Sequence, residues 1–350
     1  IYGTQSNVSN RNYDFGGDVS TSYYKNGLAN SKLTWERTQE FNIGLDFGFF
    51  RNRINGSLDV YQRTSKDLIM ERQLPSTTGW TSVWDNIGKV RNTGLELSIN
   101  TINVQTSDFS WQTNIIFDTN KNEILELYGG KKDDIGNKWF IGEAINVNYD
   151  YEFDGIWQTS EADKAAIYGQ TPGQVKVKDQ NHDNVIDAKD KVILGQQLPK
   201  WTGSITNTFT YKNWDLAFNV YTRQGAQLNS TFVSSFMAYD GNYNQAKVDY
   251  WTETNPTNKY PQPGNKGKYF SSMCYQDVSF VRVGYITLGY TFPMSLLKPI
   301  GIKRLKLYAT ANNPFLFTSF KGFDPEWATQ NTWGEATSTR TFLFGVKLAF

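Results

Sequence analysis

The sequence is poor in the residues on which disulfide-bonded proteins and many enzymes depend. Its 350 residues include one cysteine, Cys274, and one histidine, His182. A single cysteine forms no disulfide within the chain, so cysteine usage does not place the protein in a redox compartment. The histidine lies inside an acidic segment, without the serine, cysteine or aspartate arrangement that base catalysis needs. We therefore predict that the chain is not an enzyme and has no catalytic residues.

Charge imbalance and long apolar runs are also missing. The chain has 35 basic and 34 acidic residues, which gives a net charge of +1. Without a basic patch or a run of like charges, we expect no nucleic-acid partner. No stretch of about 18 apolar residues occurs, which excludes a helical membrane span. The chain opens with IYGTQSNVSN and shows no signal peptide, although a secreted protein could have lost one.

Aromatic residues, in contrast, are abundant. They make up 15% of the chain, while all hydrophobic residues together reach only 39% and the mean hydropathy is -0.54. A β-barrel in lipid explains this composition, because alternate strand residues face water and aromatic girdles mark the membrane interfaces. Composition alone fits a soluble β-sandwich or propeller equally well.

Period-2 alternation in segments of about ten residues is the organising pattern. In residues 40–50, five apolar side chains fall on one face of the predicted strand and polar or glycine residues on the other. Eight further segments alternate similarly: residues 54–64, 93–100, 109–117, 203–211, 214–223, 279–292, 304–312 and 340–350. The pattern predicts about nine membrane-spanning β-strands.

Short and long connections alternate between these strands. The short ones lie near residues 50–53, 104–107, 212–213 and 293–302, and the long ones cover about 65–92, 121–201, 224–275 and 314–338. Outer-membrane barrels have short periplasmic turns and long extracellular loops, whereas a sandwich has no reason to alternate them. We predict an all-β fold in which residues 1–350 form part of a transmembrane antiparallel β-barrel with its long loops at the cell surface.

An odd number of strands leaves open edges. Unpaired backbone groups cost several kcal/mol each in hydrocarbon. We therefore expect the remainder of the barrel to come from a longer polypeptide or from separate chains.

Five stretches resemble the SusC/RagA family of TonB-dependent outer-membrane transporters of the Bacteroidetes. They are residues 33–69, 86–100, 169–225, 279–293 and 312–326. The resemblance implies a 22-stranded barrel whose plug domain and TonB-contacting segment lie N-terminal to this chain. It also implies a SusD-like surface lipoprotein that acts as a lid, and TonB-driven import of oligosaccharides or peptides. A passive porin and a structural or adhesive surface barrel are the alternatives.

The segment DQNHDNVIDAKD, residues 179–190, resembles a calcium loop with oxygen ligands at alternate positions. The ligands would be Asp179, Asn181, Asp183, the Val185 carbonyl, Asp187 and Asp190. Asn184 replaces the usual glycine at position 6 but tolerates a left-handed backbone, and Ile186 would anchor the loop. Aspartate instead of glutamate at position 12 predicts weak binding of a structural Ca²⁺. The alternative is an acidic, solvated turn with side-chain caps.

Several aromatic residues of the long connections are candidates for stacking on sugar rings. They are Trp80, Trp84, Trp251, Tyr260 and Trp333. Packing within the loops is the equally weighted alternative. The segment GFDPEW, residues 322–327, is interpreted as a structural turn capped by the carboxylates of Asp324 and Glu326.

Overall fold

Strands dominate the computed structural model, which describes residues 8–128, 130–239, 245–328 and 337–350. The strands are β1 (Val8–Phe15), β2 (Asp18–Lys25), β3 (Arg37–Phe49), β4 (Ile54–Gln73), β5 (Ser82–Gln105), β6 (Phe109–Leu127), β7 (Val147–Tyr151), β8 (Phe153–Ile156), β9 (Val175–Val177), β10 (Lys191–Gln196), β11 (Trp201–Tyr211), β12 (Trp214–Gln224), β13 (Gln227–Asn229), β14 (Tyr275–Asp277), β15 (Phe280–Thr291), β16 (Arg304–Thr318) and β17 (Thr341–Ala349). The α-helices are α1 (Ala162–Ile167), α2 (Thr231–Phe236) and α3 (Met294–Leu297). Short 3-10 helices span Ser76–Thr78, Thr159–Glu161, Ala188–Asp190, Phe270–Cys274, Lys298–Ile300 and Pro325–Trp327. None of the helices in the described ranges combines the length and the apolar character that crossing a membrane requires.

Nine strands form one sheet in the order β17-β16-β15-β12-β11-β6-β5-β4-β3. Each of the nine segments predicted from alternation lies in this sheet. The strands that intervene along the chain belong to the long connections and pair in separate two-stranded sheets. The prediction of nine antiparallel barrel-type strands is confirmed.

Alternation along β17 leaves one apolar face uncovered. Phe342, Phe344, Val346 and Leu348 are 65%, 84%, 63% and 46% exposed. On the opposite face, Gly345 makes room for the ring of Tyr308, since a Cβ at position 345 would overlap that ring. A contiguous apolar face of this kind is typical of a surface that meets lipid rather than water.

The four short connections lie near their predicted positions. Of the four predicted long connections, the first is much shorter than predicted. β4 and β5 are 20 and 24 residues long, so only residues 74–81 join them and the predicted loop over 65–92 is wrong. Asp67 lies within β4 with φ 58°, a left-handed conformation that interrupts the two-residue phase. The remaining long connections are residues 128–200, 225–279 and 319–340, with boundaries within seven residues of the prediction.

The β1–β2 hairpin was not predicted from the sequence. Its strands pair from Val8 opposite Lys25 to Phe15 opposite Asp18, and Gly16 and Gly17 form the turn with positive φ. The strands are rich in Asn, Ser and Thr, so neither face shows the apolar alternation on which the prediction depended.

The chain divides into two compact units, each with its own core. The first comprises Ile1–Gly44, Asp59–Leu95 and Asn120–Asn146, and the second Leu45–Leu58, Glu96–Thr119 and Val147–Phe350. The core of the first unit contains Met70, Ile87, Val90, Ile124 and Leu127. The core of the second unit lies in its long connections, where the candidate functional site is found.

Candidate functional site

Residues 147–200, 225–239 and 245–278 fold together into what we call the loop module. It contains three small antiparallel sheets, β7–β10, β8–β9 and β13–β14. The buried core residues are Ile156, Val175, Val177, Val233, Met237, Ala238, Trp251, Tyr260, Tyr269, Phe270 and Cys274. The two longest connections thus share a hydrophobic core instead of forming independent loops.

Trp251 and Tyr260 belong to this core, so the prediction that they contact substrate is wrong. They are only 3% and 5% exposed. The Trp251 indole N–H donates to Gln158 Oε1 at 3.0 Å, and the Tyr260 hydroxyl lies 3.2 Å from Met237 Sδ. Burial of their rings stabilises the module through apolar area removed from water, and each polar atom has a partner. Loop packing, the alternative left open by the sequence, is their role.

The described part of the connection at residues 319–340 also packs on the loop module, through Lys321 and Phe323. Lys321 Nζ donates to the Tyr260 hydroxyl at 3.1 Å and lies 5.1 Å from the centre of its ring. Phe323 meets Phe232 edge to face at 5.0 Å between ring centres. The backbone N–H of Lys321 donates to Gln276 Oε1 at 2.8 Å. Three connections therefore contribute to one folded surface.

The first half of the acidic segment is closed by successive side-chain turns. Asp179 Oδ1 and Oδ2 accept from the backbone N–H groups of His182 and Asn184 at 2.7 and 2.9 Å. Asn181 Oδ1 accepts from Asp183 N at 3.0 Å, and Asp183 Oδ1 accepts from Val185 N at 2.9 Å. Asn184 has φ 64°, the left-handed conformation expected at this position. The short polar side chains thus satisfy the backbone of a tightly wound loop.

The second half of the segment is anchored in the loop module. Asp190 is fully buried, and its carboxylate accepts from the backbone N–H groups of Gln180 and Asp187 at 2.9 and 2.8 Å. Asp187 in turn caps the 3-10 helix Ala188–Asp190 by accepting from Lys189 N at 2.7 Å. Ile186 packs against the hydrophobic core, which confirms its predicted role as an anchor.

The hydrogen bonds of the acidic segment also explain the direction in which the pKa of Asp179 is shifted. Desolvation acts to raise the pKa of Asp179, but the Asn184 N–H, the Tyr168 hydroxyl and the His182 N–H together lower it below its usual value. Over the described ranges, no group of three or more His, Cys, Asp or Glu side chains is arranged to hold a metal. The bonds described here fit the alternative of a capped acidic turn, and the calcium site stays a prediction.

The other candidate aromatic residues lie outside the loop module. Trp84, in β5, is 47% exposed, and Trp80, in the connection 74–81, is half-buried. Trp333 lies outside the described residues. Trp84 and Trp80 keep enough exposed ring for a stacking partner, so their predicted substrate contact stays a prediction.

A buried ion pair connects β15 to the connection at residues 319–340. Arg282 and Asp324 are 2% and 3% exposed, and Arg282 Nη2 lies 2.6 Å from Asp324 Oδ1. Asp324 also accepts from the backbone N–H groups of Glu326 and Ser338 at 3.0 and 2.9 Å. The predicted capping role of Asp324 is confirmed, because it begins the 3-10 helix Pro325–Trp327. Its pairing with Arg282 was not predicted.

Glu326 extends this cluster toward solvent. Its Oε1 lies 3.3 Å from Arg223 Nη2, and its Oε2 accepts from the Tyr221 hydroxyl at 2.8 Å. Arg282 Nε is buried without a hydrogen-bond partner, 3.6 Å from Glu326 Oε2. The sequence carried one signal of this cluster, since Arg282 is the single charged residue in the predicted strand 279–292.

Cys274 has the environment of an inert thiol. It is fully buried, and burial raises the pKa of its thiol to about 12. A thiol that stays protonated at neutral pH is a poor nucleophile. Cys274 therefore serves the packing of the loop module and is not a nucleophile at neutral pH.

The chain is similar in sequence to TonB-dependent receptors. Residues 2–313 match the model of a family described as TonB dependent receptor-like, beta-barrel. TonB-dependent receptor P26 of Formosa agariphila is 31% identical, with 93% of this chain and 34% of that protein covered. TonB-dependent receptor SusC of Bacteroides thetaiotaomicron is also 31% identical, over 97% of this chain and 34% of that protein. The chain thus spans about a third of the length of these curated relatives.

A solved structure of the RagAB peptide transporter superposes with a TM-score of 0.78 and 26% identity. The superposition covers 99% of this chain and 39% of that one.

Proposed function

Because the chain belongs to the family of TonB-dependent receptor β-barrels, we propose that it forms the C-terminal strands of a SusC-like importer in the bacterial outer membrane. The complete protein would take up oligosaccharides or peptides, with energy supplied through TonB. The single observation that carries the proposal is the nine-stranded antiparallel sheet with an exposed apolar strand face, in a chain matched to this family over most of its length. The proposal assigns no catalysis to the chain.

The connections support one membrane orientation. On one side of the sheet the strands are joined by two to twelve residues, at 50–53, 106–108, 212–213 and 292–303. On the other side lie residues 74–81 and the three long connections that build the loop module and pack on it. Since short turns of outer-membrane barrels face the periplasm, the loop module would lie at the cell surface.

The partners follow from the family and from the part of the sequence that this chain represents. A plug domain, the remaining strands and the TonB-contacting segment would come from the rest of the protein. A SusD-like surface lipoprotein would close over the loop module. Because the two connections share a core, their outer surface is already folded before the lipoprotein binds. The RagAB neighbour is a peptide transporter, and the sequence resemblance also implies oligosaccharides, so both peptides and glycans stay within the proposal.

Deletion of the gene in its native bacterium tests the import function. We expect loss of growth on one class of oligomeric nutrient, either glycan or peptide, with normal growth on the corresponding monomers. Complementation with the complete gene should restore growth, and complementation in a strain without TonB should not.

The same experiment separates the alternatives. A passive porin would restore uptake without TonB, and an adhesive barrel would cause no nutrient-specific defect on deletion. Purification of the native complex followed by mass spectrometry should identify a SusD-like lipoprotein. A complex without both that lipoprotein and a plug-bearing polypeptide would refute the proposal.

A further inference from the structure

A groove crosses the apolar face of β12, β15, β16 and β17. Backbone pairing places Phe209, Leu216, Leu288, Ala309 and Phe344 in one row across the sheet. The alanine stands between a leucine and a phenylalanine, so its small side chain leaves a depression between larger neighbours. The resulting groove has a volume of about 570 Å³ and an apolar lining.

Aromatic residues border the groove on the side of the short connections. The next row of paired residues is Tyr211, Trp214, Tyr290, Leu307 and Val346. Trp214 and Tyr290 lie 4.7 Å apart between ring centres. Tyrosine and tryptophan are enriched at the level of lipid headgroups, where their rings are apolar and their polar atoms remain in contact with water.

The short connection beside this row combines exposed apolar and cationic side chains. Met294, Leu296 and Ile300 are 56%, 63% and 64% exposed in the turn formed by α3 and the following 3-10 helix. Lys298 and Lys303, in the same connection, are also exposed. Exposed apolar side chains next to lysines are typical of elements that lie in a membrane interface.

Acidic residues are missing from this part of the chain. Residues 278–323 contain no Asp or Glu. Among the ion pairs of the described residues, none includes Lys298 or Lys303. Their charges are therefore available for an anion, and a phosphate at the headgroup level would complement them.

The distance between the lysine and the groove matches one lipid leaflet. Lys303 has the same parity as Leu305, Leu307 and Ala309, so it continues the apolar face beyond the strand. Six residues of strand separate Lys303 from Ala309, about 20 Å at ~3.3 Å per residue. With a strand tilt of about 40°, the depth is about 15 Å, half of a ~30 Å hydrocarbon core.

We propose that the groove and the adjoining lysines bind one anionic glycerophospholipid. An acyl chain lies in the groove over Ala309, and the phosphate group lies between Lys298 and Lys303. The leaflet, on the periplasmic side, rests on the proposed membrane orientation. The preference for an anionic phospholipid is independent of that orientation. It follows from the groove, from the aromatic row and from the exposed Lys298 and Lys303.

Lipid retention by the complete protein tests the proposal. The protein, purified from its outer membrane, is placed in nanodiscs with equal amounts of phosphatidylglycerol and phosphatidylcholine, and native mass spectrometry counts the lipids that remain after detergent extraction. We expect one retained phosphatidylglycerol.

Lys298→Gln/Lys303→Gln should reduce its retention about thirty-fold, equivalent to roughly 2 kcal/mol at ~1 kcal/mol per charge. Lys131→Gln/Lys132→Gln, a pair of exposed lysines in another connection, provides the matched control and should retain the lipid.

Ala309→Phe tests the acyl-chain part, because a benzyl group fills the depression without changing the charge. Retention should fall for both lipids while the circular dichroism spectrum of the barrel is unchanged. Equal retention of the two lipids by the unmodified protein, or unchanged retention in a folded Lys298→Gln/Lys303→Gln or Ala309→Phe variant, would overturn the proposal. So would a polypeptide, rather than a lipid, cross-linked to a photoreactive residue at position 309. None of these measurements uses transport, so their failure is separate from a failure of the import function.

Discussion

Replacement of Arg282 by methionine tests whether the buried ion pair holds the connection at residues 319–340 in place. Methionine keeps much of the side-chain length but leaves the Asp324 carboxylate without its cation at a position that is 3% exposed. Removal of one member of a buried pair typically destabilises by about 3–5 kcal/mol, because the remaining charge is left uncompensated. Asp324 keeps two backbone N–H donors, so we expect the lower end of that range.

Arg223→Met is the matched control in the same cluster. Arg223 pairs with Glu326 at 3.3 Å, but its side chain is 48% exposed. Exposed ion pairs contribute only about 0.2–1 kcal/mol, since water screens them. The two variants remove the same chemical group from neighbouring strands, so burial is the main difference between them.

Trypsin cleavage after Lys321 measures the local opening. The lysine is bonded to Tyr260 in the closed arrangement, so cleavage requires release of the connection. A loss of about 3 kcal/mol corresponds to a more than hundred-fold rise in the open population, and cleavage follows that population when opening is fast. Arg223→Met should raise the rate less than about tenfold.

Two results would refute the reasoning. The first is a cleavage rate in Arg282→Met that equals the rate in Arg223→Met. The second is strict additivity of Arg282→Met and Asp324→Asn, because a direct pair predicts that the second change does less damage once the first is made.

Three further predictions address other parts of the chain. Cys274, with its pKa raised to about 12, should react with iodoacetamide at pH 8 only after unfolding, as measured by intact mass; rapid labelling of the folded protein would contradict its burial. If the acidic segment binds calcium, Ca²⁺ should slow its proteolysis, and Asp179→Ala/Asp183→Ala should remove that effect; equal protection with and without Ca²⁺ in the unmodified protein would refute the site. Gly345→Ala should lower the free energy of unfolding by about 1–3 kcal/mol because its Cβ meets a tyrosine ring, whereas Gly27→Ala, with no atom within 4 Å, should change it far less in the same thermal unfolding assay.

The sheet could be predicted from the sequence because the rule that determines it is local. In a strand, each residue faces opposite to its neighbours, so Phe342 and Phe344 reveal the apolar face without any information from elsewhere. The rule fails where the alternation of side chains between the two faces of a strand is interrupted. Asp67 adopts a left-handed conformation inside β4, and the alternation therefore predicts a loop where the strand continues.

The loop module could not be predicted because its core is assembled from distant parts of the chain. Trp251 bonds to Gln158, 93 residues away, and no periodicity connects the two. An exposed stacking residue and a core residue look alike in a sequence when the partner lies in another connection. Ile186 was correctly predicted as an anchor because the surrounding acidic motif fixed its position.

The shared core of the loop module has a consequence for any partner at that surface. A separate loop of 50 residues would have to be ordered on binding, and each ordered residue costs about 1–2 kcal/mol of conformational entropy. In the loop module that ordering is achieved on folding, through burial of Trp251, Tyr260 and the aromatic residues around them. Lys321 adds the third connection to the same surface. The lipoprotein lid of the proposed complex would meet loops that are already folded, so more of the contact energy would be available for affinity, and release of the lid would not have to unfold the loops.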